Sequence, residues 1–198
     1  MKLVADWDGT ITVEDTLHVV LERFGDRWVY RRAEAELGRR LTLHEVIGIE
    51  MATVTASLDE VVSYLLESIS LRPGFAELVA RGDVLVVSAG FHELIEPLLV
   101  RDGIEVPVLA NRIDPLRDGW RAIWRDTEPC PVCGEPCKRR AVSGVGPFVF
   151  VGDGSVGDRC VALAAERVFA RDGLAHYLAA QGVPFEQFDD FHELARVL

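Results

Sequence analysis

The sequence predicts an α/β fold: a doubly wound parallel sheet with a small helical cap inserted after the first strand. Three observations lead there. Short apolar runs alternate with helical patterns from Phe75 to the C-terminus, and that rhythm favours parallel strands joined by crossover helices. The stretch from about Glu14 to Ser70 is helical in pattern almost throughout. Three apolar runs end on polar side chains, Asp6, Ser88 and Asp153, which a parallel sheet would gather along one edge.

In order, residues 2–6 read as a buried strand and Trp7-Asp8-Gly9-Thr10-Ile11-Thr12 as a turn-rich stretch. Leu17, Val20, Leu21 and Phe24, and again Val61, Val62, Leu65, Leu66 and Ile69, follow helical spacing. Thr42 and Glu45 stand at capping-box spacing, and Arg72-Pro73-Gly74 closes the helical unit. Phe75–Ala80 and Glu93–Val100 are then expected as helices around a strand at Val84–Val87. Val106–Ile113 and Trp120–Trp124 suggest a hairpin around Asp118-Gly119. Phe148–Val151 is a further strand, followed by a helix from about Asp158 to Ala165. Val168–Ala170 is a last strand, before helices at about Leu174–Gln181 and Phe191–Leu198. The expected division is a core of residues 1–12 and 73–198 and a cap of residues 13–72.

Composition narrows the function. The net charge is −11, which disfavours nucleic-acid binding through a broad basic surface. It leaves room for a small anionic substrate, which needs only local positive charge and backbone N–H groups. Nineteen of the 21 basic residues are Arg, so Lys138 in a motif-rich region stands out as a compact point charge. No apolar run approaches the roughly 20 residues that span a bilayer, and no secretory signal pattern is present. A cytoplasmic location without membrane association is expected; oligomeric state is not legible.

At the sheet edge, Asp6, Asp8, Asp153 and Asp158 would repel one another without a cation, and oxygen ligands favour a hard ion such as Mg²⁺. Ser88, the N–H groups around Gly9 and Gly90, and the Lys138 ammonium suit phosphate oxygens. These segments resemble the four motifs of the haloacid dehalogenase superfamily of phosphatases. Asp6-Trp7-Asp8-Gly9-Thr10-Ile11-Thr12 is similar to the first and Val86-Val87-Ser88-Ala89-Gly90 to the second. Lys138 fits the third and Gly152-Asp153-Gly154-Ser155-Val156-Gly157-Asp158 the fourth.

Within the superfamily the chain resembles the phosphoserine-phosphatase-like branch. There the methionine-salvage phosphatase of 2-hydroxy-3-keto-5-methylthiopentenyl-1-phosphate is similar in its cap, its Cys-rich run and Phe169-Ala170-Arg171-Asp172. Phosphoethanolamine and phosphocholine phosphatases are similar in their Cys pattern. The resemblance implies a Rossmann-like core and hydrolysis of a small phosphorylated metabolite through an aspartyl-phosphate. Asp6 would be the nucleophile and Asp8 the general acid and base. Gly9, Thr10, Ser88, Ala89, Gly90 and Lys138 would hold the phosphate. Mg²⁺ would be bound by Asp6, the Asp8 carbonyl and Asp153, with Asp158 in support. Asp153 and Asp158 are five residues apart, where these relatives usually have four. Other readings are a phosphoserine phosphatase, a phosphocholine or phosphoethanolamine phosphatase, a phosphotransferase, or a zinc-stabilised interaction module with weak activity.

Four further features have open readings. Asp15 stands where the resemblance to the phosphoserine enzyme implies an acidic residue facing the substrate's amino group, or it caps the helix that begins near Thr16. Trp28, Tyr30 and His44 read as packing or surface residues. Glu45–Met51 lacks the basic residue with which phosphoserine phosphatases grip a carboxylate. Cys130, Cys133, Cys137 and Cys160 form either a structural Zn²⁺ site or a set of reduced thiols.

Overall fold

The computed structural model describes residues 1–198. A six-stranded sheet has the order β4-β3-β2-β1-β5-β6. Its strands are β1 (Lys2–Ala5), β2 (Val84–Phe91), β3 (Val108–Asp114), β4 (Arg121–Ile123), β5 (Phe148–Gly152) and β6 (Arg167–Ala170). Every neighbouring pair is parallel except β3 and β4, which form the expected hairpin. The chain builds outward from β1 on one side through β2 to β4. It then crosses to β5 and β6 on the other side, so the order reverses beside β1. In an open α/β sheet that reversal opens a crevice at the strands' carboxyl ends.

Strand alternation explains why both faces are covered. Leu3 and Ala5, Val84 and Val86, and Val149 and Val151 point into one apolar cluster. Val4, Leu85, Val87, Phe148 and Phe150 point into another. Helices α5 (Phe75–Arg81), α6 (His92–Arg101) and α10 (Phe191–Val197) pack on the first face. Helices α7 (Lys138–Ala141), α8 (Arg159–Ala162) and α9 (Asp172–Ala180) cover the second. Burial of a Leu or Phe side chain in such a cluster stabilises by roughly 1.5–3 kcal/mol.

Between β1 and β2 lie α1 (Thr16–Phe24), α2 (Arg27–Glu36), α3 (Leu43–Met51) and α4 (Leu58–Ser68). Each begins at a side-chain cap: Asp15, Asp26, Thr42 and Ser57 accept N–H groups of the first turn. Thr42 and Glu45 complete the capping box. The inner faces of α1, α3 and α4, through Val20, Leu21, Ile47, Met51, Val61 and Leu65, join the same apolar cluster as the sheet. Entry and exit of the segment are tied together, since Thr12 bridges Leu71 and the Arg72 N–H donates to Ile11 O at 2.7 Å.

Two expectations are corrected. Strand β2 does not stop at Val87; it continues to Phe91 with a shift of register against β3. The Ser88 hydroxyl accepts the Gly90 N–H at 2.8 Å, which stabilises the irregular stretch. The helix expected from Asp158 to Ala165 ends at Ala162. Ala164 and Ala165 tighten into three-residue turns, because Glu166 must donate to Phe148 O to start β6. No helix is long and apolar enough to cross a membrane.

Candidate active site

Asp6 follows β1 directly and is 5% exposed. Beyond it the chain turns back at once. The Thr12 N–H returns to Trp7 O at 3.0 Å, and Gly9 adopts φ +70°. A Cβ at Gly9 would stand 2.5 Å from Asp153 Oδ2, so glycine is required for both its conformation and the close approach. Arg72 holds the turn from outside by donating to Thr10 O and Gly9 O, each at 2.9 Å. In the sequence Arg72 read only as part of a terminating Arg-Pro-Gly.

Asp8 is fixed by the first turn of α1. One of its oxygens accepts the Thr16 N–H at 2.8 Å and the Thr16 hydroxyl as well. Its other oxygen lies beside Gly90, where an added Cβ would approach it to 3.2 Å. Burial, and then the nearby Asp15 carboxylate, push the Asp8 carboxyl up to about 7.

Lys138 opens α7 and is buried, not solvated. Its ammonium donates to Asp6 and to Asp158, the latter at 2.6 Å. Burial alone would favour loss of the proton, but the charges of Asp158 and Asp6 outweigh it and hold the ammonium above its ordinary pKa. Asp158 is fully buried, and its other oxygen accepts the N–H groups of Asp153 at 3.1 Å and Gly154 at 2.8 Å. The five-residue spacing of these two aspartates therefore closes into a compact loop.

Thr10 supports the loop that follows β5. Its hydroxyl is fully buried and donates to Asp153 Oδ1 at 2.6 Å. Ser88 is also buried and faces the neighbouring recess beside Cys137 and Cys160.

Carboxylate oxygens of Asp6, Asp153 and Asp158 lie within 4.8 Å of one another. Burial, followed by repulsion from Asp158, raises Asp6 well above the carboxylate range and Asp153 to about 6. One ammonium against three carboxylates leaves surplus negative charge. That surplus and the all-oxygen donor set fit a hard divalent cation.

The carboxylates open into a cavity of about 270 Å³, bounded beyond Asp8 by α1, α2 and α3. Asp15 accepts the His18 N–H at 2.8 Å as helix cap, and it also lines this cavity. Tyr30 also lines it, against the expectation of mere packing. Trp28 is 66% exposed, and His44 stacks on Trp124 with ring centroids 4.1 Å apart. Glu34 and Glu50 line the cavity too, and neither was singled out from the sequence. A signal for Glu50 existed: it follows Val46 and Ile47 on the apolar face of α3, where the helical period calls for another apolar side chain.

The Sγ atoms of Cys130, Cys133, Cys137 and Cys160 also lie within 4.8 Å of one another, and no disulfide joins them. Although burial pushes the Cys130 thiol up, N–H groups of Cys133 and Val132 and the adjoining thiols bring it down to about 6.

A family model of haloacid dehalogenase-like hydrolases matches residues 3–163. The chain belongs to that family. Within it the chain is a phosphatase, a phosphoric monoester hydrolase; members of the family are typically Mg²⁺-dependent. It is similar to the 2-hydroxy-3-keto-5-methylthiopentenyl-1-phosphate phosphatase of Brevibacillus brevis, 27% identical over 100% of this chain and 95% of the relative. The enzyme of the same name from Geobacillus kaustophilus is 29% identical, again over 100% of this chain and 95% of its own length. Among solved structures, a phospho-aspartyl intermediate analogue of phosphoserine phosphatase superposes with TM-score 0.74 at 16% identity. It covers 100% of this chain and 98% of its own. Phosphoserine phosphatase from T. onnurineus gives 0.72 at 18% identity, covering 98% and 92%. These structures share the fold.

Proposed function

We propose that the chain hydrolyses a small-metabolite phosphomonoester through an aspartyl-phosphate on Asp6, with the segment 13–72 acting as a cap. The observation that supports this reading is that Asp6 and Asp8, two residues apart in one tight turn, line one cavity with Lys138. Asp6 attacks phosphorus as the ester P–O bond breaks, and Asp8 delivers a proton to the departing alcohol oxygen. Thr16 keeps Asp8 oriented for that transfer. Water then attacks phosphorus, Asp8 takes its proton, and the bond to Asp6 breaks to release phosphate. Lys138 and backbone N–H groups around Gly9, Ala89 and Gly90 hold the phosphoryl oxygens. Asp6, the Asp8 carbonyl and Asp153 would hold Mg²⁺, with Asp158 fixing the loop. The ion supplies neutralisation of the phosphate charge against the nucleophile.

The relatives' named substrate, 2-hydroxy-3-keto-5-methylthiopentenyl-1-phosphate, is one candidate. At 27–29% identity, the cavity lining is the better guide to the leaving group. A phosphate-release panel of metabolite phosphomonoesters, run with and without Mg²⁺, tests the reaction. Absence of release from every ester in Mg²⁺ would overturn it.

The four cysteines support a second proposal: a closed, structural Zn²⁺ site. Convergent sulfur ligands suit Zn²⁺, and this cluster joins the loop before Lys138 to α8 just after Asp158. The metal would pin the two segments whose side chains meet in the Lys138–Asp158 pair.

A further inference from the structure

Between Val87 and Phe91 the ladder to β3 opens: Ser88, Ala89 and Gly90 stand opposite Ala110 alone, so regular pairing lapses there. Three side chains step in. Asn111 Nδ2 donates to Ala89 O at 2.7 Å, Ser88 Oγ accepts the Gly90 N–H, and His92 Nε2 accepts the Ala110 N–H at 3.4 Å. Asn111 is 5% exposed and has both ends of its carboxamide engaged, since Oδ1 accepts the Arg125 N–H at 3.0 Å just beyond β4. That second bond fixes which end of the amide faces β2 and keeps the side chain from turning. Asn111 does not line the cavity over Asp6. It lies behind it, in the recess that Ser88 and Lys138 also line.

We propose that Asn111 is a positioning residue for phosphoryl transfer, acting through the Ala89–Gly90 peptide. This rests on the phosphatase reading and adds to it a residue that reaches the substrate only through other groups. In a trans peptide the carbonyl and the N–H point to opposite sides. Holding Ala89 O toward β3 therefore turns the Gly90 N–H away from β3. Gly90 itself lines the cavity, and a Cβ on it would stand 3.2 Å from Asp8 Oδ2. Its N–H occupies the Ser88 oxygen, which leaves the Ser88 hydroxyl proton for a phosphoryl oxygen. Asn111, the peptide and Ser88 thus form one hydrogen-bonded chain that ends at the phosphate. Donors set in advance spare reorganisation as charge moves onto the phosphoryl oxygens.

Two substitutions test it. Asn111→Asp keeps an acceptor for the Arg125 N–H but sets a second oxygen against Ala89 O, and Asn111→Ser draws the side chain out of reach of both partners. In each, kcat for p-nitrophenyl phosphate, or for the best ester of the metabolite panel, is expected to fall about tenfold to a hundredfold in Mg²⁺. KM should stay within about threefold, because the lost alignment matters most in the transition state. Inhibition by orthovanadate, which mimics pentacoordinate phosphorus, should weaken by a similar factor to kcat. Circular dichroism and denaturant midpoints of the same variants report folding separately. A residue that only supports the sheet would lower the midpoint and leave kcat and vanadate inhibition of the folded protein unchanged. That outcome in either folded variant would overturn the positioning role and leave the phosphatase standing. Wild-type protein that releases no phosphate from p-nitrophenyl phosphate or any ester of the panel would instead overturn the phosphatase reading.

Discussion

The Lys138 ammonium donates to Asp158 Oδ1 at 2.6 Å, while the other oxygen of that carboxylate holds the N–H groups of Asp153 and Gly154. One fully buried carboxylate thus links the first residue of α7 to the loop after β5. Because Lys138 reaches Asp6 as well, the ammonium is placed beside the proposed nucleophile before any phosphate arrives. Such placement limits reorganisation during reaction, which is where electrostatic catalysis gains most.

Asp6→Asn keeps the side chain's shape and removes the attacking charge. Turnover in Mg²⁺ is expected to fall by about three orders of magnitude or more. Single-turnover assays with acid quench should also show no phosphorylated protein. Hydrolysis at the wild-type rate would exclude Asp6 as nucleophile.

Chelation should abolish phosphate release, and added Mg²⁺ should restore it. Asp153→Ala removes one of the three clustered carboxylates and leaves Thr10 without its acceptor. The Mg²⁺ concentration for half-maximal activity should rise at least roughly tenfold, as for other lost metal-site partners. Retention of full activity in metal-free buffer would contradict the proposed ion.

The parts of this site that were legible in the sequence are those whose chemistry is local. Asp6, Ser88 and Asp153 sit in or directly after short apolar runs, so strand periodicity and turn residues place them together. Lys138 was legible by type and motif order, but its burial and its pairing with Asp158 arise only when α7 packs beside α8. Arg72 and Glu50 went unread for a related reason. The bonds from Arg72 to Gly9 and Thr10 span more than sixty positions of chain. Glu50 gains its role only when α1, α2 and α3 close around one cavity.

Phosphoserine is expected to be a poor substrate despite the shared fold. Glu45–Met51 offers no cation for a carboxylate, and the exposed Asp15 and Glu34 make the cavity mouth acidic. Its kcat/KM should lie at least about tenfold below that of an ester lacking the carboxylate. Equal or better turnover of phosphoserine would reverse this expectation.

Glu50 should also make stability depend on pH. Burial first, then the charges of Glu34 and Asp15, push its carboxyl up to about 8. Tyr30 and His18 also line this cavity. The folded state therefore binds a proton that the unfolded chain releases at its ordinary carboxylate pKa. Between about pH 4.5 and 8 this group's contribution to stability declines as pH rises. Glu50→Gln removes that dependence and should stabilise the protein at pH 8 by on the order of 1–2 kcal/mol. Denaturant unfolding of both proteins at pH 5 and pH 8 measures it, and a difference independent of pH would refute the assignment.

The tetracysteine cluster makes a prediction that is independent of catalysis. Protein purified without a metal-affinity tag should contain one zinc per chain and show few thiols reactive to a titrant under native conditions. Cys133→Ser should lower the zinc content and destabilise the fold by on the order of a few kcal/mol, since metal binding energy is folding energy. The loop before Lys138 would loosen with it, so KM should rise more than kcat falls, while the Mg²⁺ requirement stays the same. Zinc-free protein with four freely titrating thiols would remove the site. The placement of Lys138 would then rest on its ion pairs with Asp6 and Asp158 and on the packing of α7 against the sheet.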